Sequence, residues 1–178
     1  VVLRPLERRR KHHRLELLPE KLSKHAVLFG YHTMGFKIRE YLEKQKNPYM
    51  IVDYNPDTIA RLAHEQVPHL YGNMSDDDVL ERVHAPEASL LISTVPHAKR
   101  TMELLRYVQK NHIRATVIVT AYDISDALDF YAHGAHFVLY PETISADFFS
   151  ELLEDRLSSR RKAHMKDLQH LQRLEFSR

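Results

Sequence analysis

Gly30 and Gly35 lie five residues apart behind the short apolar run Ala26–Phe29, and Asp53 closes the next apolar run. These residue types at these spacings suit the holding of a phosphorylated nucleoside. A glycine directly after a strand permits a tight turn into a helix, whose first N–H groups lack partners and face a phosphate. A carboxylate about 20 residues further on can hold a ribose diol, and it repels a 2′-phosphate. The spacing from Gly30 to Asp53 is 23. In the full phosphate frame a middle glycine lets the backbone approach a diphosphate. That position is His32 here. The imidazole has three readings: a contact to one phosphate, a filler in a vacated site, or a pH sensor, because it titrates near neutrality.

Other chemistries find less support. There is no cysteine, so disulfides, thiolate catalysis and Cys-ligated zinc are excluded. Asp76-Asp77-Asp78 reads as helix-dipole compensation and not as a metal site. His133 and His136 straddle Gly134, and the thirteen histidines include no His-Glu-x-x-His set. No Gly-x-Ser-x-Gly elbow or Walker lysine loop occurs. The expectation is a sensor and not an enzyme.

The elements that position these residues alternate strictly. Strands are expected at 26–29, 49–52, 69–71, 90–95, 115–121 and 137–140. Helices are expected at 34–45, 57–66, 76–83, 98–111 and 125–132, the first with Met34, Ile38, Tyr41 and Leu42 on one face. Asn55-Pro56 opens the second helix, and Ser75 with Asp78 forms a capping-box pattern for the third. Near-continuous apolar strands in this alternation call for a parallel doubly wound α/β sheet of order 3-2-1-4-5-6. Its ligand cleft falls at the carboxyl edge between strands one and four. A helix starting near Ser145 gathers Phe148, Phe149, Leu152, Leu153 and Leu157 on a core or dimer face. Beyond it, Met165, Leu168, Leu171 and Leu174 make a narrow apolar stripe.

Charge is partitioned along the chain. Residues 1–25 carry +5 and residues 156–178 another +5, whereas 26–155 carry −8. An acidic globule with basic ends is not a nucleic-acid-binding core; the ends suit a membrane surface, an acidic partner or solvation. No run approaches the ~20 apolar residues of a membrane span. The first residue is Val, and Arg4, Arg8-Arg9-Arg10-Lys11 and Arg14 follow it. That opening reads either as the cytoplasmic exit of a membrane helix in a longer protein or as a plain basic linker. The expected organisation is a basic linker over 1–24, an α/β domain over 25–142 and a helical extension over 143–178.

Gly72-Asn73-Met74-Ser75 after the third strand, Ala88 to Thr94 leading out of the fourth, and Gly134 through Glu142 add to Asp53-Tyr54-Asn55-Pro56. Together these resemble the Rossmann-like RCK or KTN regulatory domains of potassium channels and Trk/Kef-type antiporters, over roughly 25–155. The short remainder leaves no room for the family's C-terminal subdomain, which favours a Kef-like antiporter arrangement. The resemblance implies that Gly30, Tyr31, His32 and Gly35 line the phosphate turn and that Asp53 holds the adenosine ribose. It also implies that Asn73 sits beside the adenine and that Thr94 closes the other wall. His32 departs from the family and makes a mononucleotide (AMP, ADP or ATP) a more natural ligand than NAD(H).

The implied function is control of potassium or cation:proton transport by an adenine nucleotide or NAD(H). The domain would be a homodimer at the cytoplasmic face of the membrane, joined to a membrane transport domain. Two other classes stay open: a scaffold or dimerisation module with a degenerate site, and the cofactor half of an NAD-dependent enzyme.

Overall fold

Each apolar run becomes a strand of one parallel sheet in the computed structural model, which describes residues 16–19 and 22–158. The elements are β1 (Ala26–Phe29), α1 (Thr33–Lys44), β2 (Tyr49–Asp53), α2 (Pro56–His64), β3 (His69–Tyr71), α3 (Asp77–Arg82) and a 3-10 turn (Ala85–Glu87). They continue with β4 (Leu90–Ser93), α4 (Ala98–Lys110), β5 (Thr116–Thr120), α5 (Ile124–Ala132), β6 (Phe137–Leu139) and α6 (Pro141–Ser158). The strand order is β3-β2-β1-β4-β5-β6, as the alternation demands. The chain divides into two units after Leu139, the second holding α6.

Alternation along the strands sorts the core onto two faces. Val27 and Phe29, Met50 and Val52, and Leu91 point to one face, with Val79 and Leu80 of α3, Leu104 and Leu105 of α4 and Phe130 of α5. Leu28, Ile51 and Ile92 point to the other, against Ile38 of α1 and Leu62 of α2. The register pairs Phe29 with Val52 on one side and Ser93 on the other, so β1, β2 and β4 end level with one another. That shared edge is where their following turns meet.

Several local expectations need correction. Ser75 does not cap α3; Asp76 occupies the N-cap position without a side-chain capping bond, and the helix starts at Asp77. Asn73 delays it, its backbone carbonyl accepting from the Asp76 N–H at 3.0 Å and its side chain from the Ser75 N–H at 3.4 Å. Tyr41 is 63% exposed and leaves the apolar face of α1, which buries Gly35 and Leu42. The last helix begins at Pro141 and not near Ser145, since proline presets the helical φ and lacks only an N–H that would be unpartnered there. On α6, Phe148, Phe149 and Leu153 are exposed. The stripe from Met165 to Leu174 and the basic run Arg4 to Arg14 lie outside the described residues. Part of the expected linker is docked: Leu17 forms an antiparallel bridge to His69 on the outer edge of β3, and Glu16 pairs with Arg82 at 2.5 Å. Leu22 joins the core.

His25 precedes β1 with no exposed surface, its Nε2–H donating to the Val83 carbonyl at 2.8 Å. Burial holds its pKa below the usual 6.5, against the opposing effect of that hydrogen bond. The unfolded chain therefore takes up a proton near pH 6.5 that the folded chain refuses. Stability should be complete above that pH and fall as pH drops through it. Urea unfolding at pH 5 to 8 should show this loss, and His25→Gln should flatten it.

Candidate functional site

The site grows from the turn after β1. Gly30 adopts φ +89° and its N–H donates to the Val52 carbonyl at 2.9 Å. A Cβ there would lie 2.7 Å from Thr94 Oγ1, so both backbone conformation and space require glycine. Gly35 serves the same turn from the helix side. A Cβ on it would stand 2.3 Å from the Gly30 carbonyl oxygen, so only glycine lets α1 pack this close to the turn.

Asp53 ends β2 and is 5% exposed. Its Oδ2 accepts from the Tyr31 N–H at 2.8 Å, and its Oδ1 from the Asn55 N–H at 2.8 Å. Asn55 in turn caps α2 by accepting from the Asp57 N–H at 2.9 Å. One carboxylate thus fixes the turn into α1 and the turn into α2, and each oxygen keeps a lone-pair direction for a further donor.

The turns surround an open cleft, lined on its polar side by His32, Asp53, Asn73 and Arg100. It lies at the carboxyl ends of β1, β2, β3 and β4, where the strand order reverses. Of the residues expected at the site, Gly30, His32, Asp53 and Asn73 line this cleft. His32 is exposed and occupies the N-cap of α1 without a capping side-chain bond, so its imidazole is not spent on the helix.

Three expected residues stand behind the cleft. Tyr31 offers it only backbone: the side chain is 1% exposed and packs with Leu28, Ile51 and Leu62. Its ring lies against the Arg39 and Arg61 guanidinium groups, and Arg39 donates to its hydroxyl at 2.6 Å. Burial raises the Tyr31 pKa, which keeps the phenol protonated. Gly35 acts through packing. Thr94 turns its hydroxyl back to the carbonyls of Phe29 and Gly30, at 3.2 and 3.1 Å, and the wall is built by Val95 and Pro96.

Sequence reading missed Tyr54, Met74 and Arg100. Met74 is buried beneath the cleft, its sulfur accepting from the Ser93 hydroxyl at 3.3 Å. Arg100, from the first turn of α4, stands 5.1 Å from the centroid of the Tyr54 ring. Their signal was positional, since Tyr54 follows the acidic strand end and Arg100 opens the helix after the strand beyond the reversal. Among the described residues no group of His, Asp and Glu side chains could hold a metal ion, and no helix is long and apolar enough to cross a membrane.

A parallel sheet of this order, with a glycine turn and a strand-end aspartate at its point of reversal, is a Rossmann-like nucleotide-binding fold. The chain belongs to the TrkA-N domain family, whose model matches residues 26–141. It is 29% identical over 125 residues to a protein assigned as the K(+) efflux antiporter KefB of Alkalimonas amylolytica, covering 70% of this chain and 19% of that one. The TrkA-N domain of the inner membrane protein YbaL from Escherichia coli superposes with a TM-score of 0.71 at 22% identity, over 75% of this chain and 98% of that one. The Kef CTD of Shewanella denitrificans in its AMP-bound form gives 0.68 at 18% identity, over 86% and 92%. The GsuK channel bound to NAD gives 0.62 at 21%, over 71% and 23%.

Removing the Asp53 carboxylate strips the acceptor from two backbone N–H groups. Asp53→Ala should therefore destabilise the domain by about 2–4 kcal/mol, read by urea unfolding. Asp53→Asn keeps one acceptor oxygen and should cost less.

Proposed function

We propose that this domain is the regulatory part of a potassium or cation:proton antiporter, or of a related channel, and that it responds to an adenine nucleotide or NAD(H). The chain spans 19% of the length of the KefB relative, so the transport path would lie in another part of a longer protein at the membrane. The observation that carries the reading is the Asp53 carboxylate at the floor of a switch-point cleft, facing the Gly30 turn. A ribose diol on its open lone pairs leaves the phosphate beside His32 and the free N–H groups of α1. Neighbours of the same fold bound to AMP and to NAD support this class of ligand.

Regulation then needs two arrangements of the domain with different affinity for the nucleotide, because a ligand shifts an equilibrium only by that difference. A homodimer gives the domain a second surface through which to pass the shift. The site is read as a sensor and not as a centre of catalysis, since a bound cofactor alone turns nothing over.

His32 sets the choice between ligands. Its Cβ stands where a dinucleotide needs bare backbone, while its ring can donate to a single phosphate. AMP, ADP or ATP are therefore favoured over NAD(H).

Thermal unfolding against AMP, ADP, ATP, NAD and NADH tests the reading. A ligand at ~100 times its Kd adds ~2.7 kcal/mol, a Tm rise of roughly 5–11 °C for a chain of this size. The expected rise is larger for the mononucleotides. His32→Gly should move the preference toward NAD(H) by about tenfold, ~1.4 kcal/mol. No rise with any of the five would leave the scaffold reading in its place.

A further inference from the structure

We propose that Tyr54 and Arg100 form a two-sided clamp for a purine base, a role that rests on the nucleotide reading of the same cleft. The two side chains come from opposite sides of the strand reversal, Tyr54 from the end of β2 and Arg100 from the start of α4. Tyr54 is 55% exposed and its ring meets the Arg100 guanidinium. Among the described residues no carboxylate stands within ion-pair distance of Arg100, so its charge is held only by the π-face of Tyr54.

Position decides which part of a nucleotide meets this pair. Tyr54 is the residue next to Asp53, and Asp53 stands between it and the turn of Gly30 and His32. A nucleotide runs phosphate, ribose, base. With phosphate on the turn and ribose on Asp53, the group reaching Tyr54 is the base. Flat bases stack on tyrosine rings and on guanidinium planes alike.

The ring centroid and the guanidinium carbon are 5.1 Å apart. A base between them needs two stacking contacts, roughly 7 Å in all. The clamp therefore parts by about 2 Å on binding. Asn73 lines the same cleft, and with its side-chain oxygen held by the Ser75 N–H it has the amide NH2 left for a base edge.

Isothermal titration of the 178-residue chain with AMP, adenosine, NAD and ribose 5-phosphate tests the clamp. Tyr54→Ala and Arg100→Ala should each weaken adenosine and AMP by the same factor, about 5- to 100-fold. Ribose 5-phosphate should be unaffected, and Tyr54→Phe, which keeps the ring, should match wild type. If Arg100→Ala weakens AMP but spares adenosine, Arg100 is a phosphate anchor and the clamp is wrong. AMP binding that both alanine variants retain overturns the clamp and leaves the nucleotide reading standing. Absence of binding by wild type to AMP, adenosine and NAD overturns both.

Discussion

Two backbone N–H groups, one from each of two turns, meet on a single carboxylate. Asp53 accepts from Tyr31 at the start of α1 and from Asn55 at the start of α2. Charge-assisted hydrogen bonds of this kind are about twice as strong as neutral ones. The glycine turn, the capped helix and the cleft between them inherit their geometry from that one side chain. A residue that looks like a ligand-binding group in the sequence thus also sets the shape of the cleft, and each of its oxygens keeps a lone-pair direction beyond those two bonds.

The fold was legible because strand and helix leave different periods in the apolar pattern, and here the two alternate without interruption. The strand order is the common doubly wound one, which the alternation makes expected but does not by itself select over others. Boundaries were less legible, for reasons specific to each place. Asn73 competes for the amides that would have let Ser75 begin α3. Pro141 starts α6 early because its ring geometry already matches a first helical residue. Docking of residues 16–19 on β3 depends on an edge whose existence only the assembled sheet discloses.

Around the cleft, the residues whose position was legible are those whose backbone role is written in their type. Gly30 must be glycine for its positive φ, and Asp53 must be acidic to hold two amides. Tyr31 shows the converse. Being next to Gly30 places its N–H in the site, yet the positive-φ turn at Gly30 breaks the strand alternation and its ring joins Leu28 in the opposite core, against Arg39 and Arg61. Tyr54 and Arg100 are 46 residues apart, and nothing in either local pattern indicates that they touch. Such pairings are made by topology, so a reading based on local spacing does not find them.

The short bridge from Leu17 to β3 also has a mechanical meaning. It includes two backbone hydrogen bonds and the Glu16–Arg82 pair. The sheet behind it is continuous and far stronger. A pull applied to the chain ahead of residue 16 would peel this tether first, as a fuse parts before a cable. The strand it unloads, β3, lies directly beside the strand that carries Asp53. Tension on the chain and occupancy of the cleft would then be felt by neighbouring strands of one sheet.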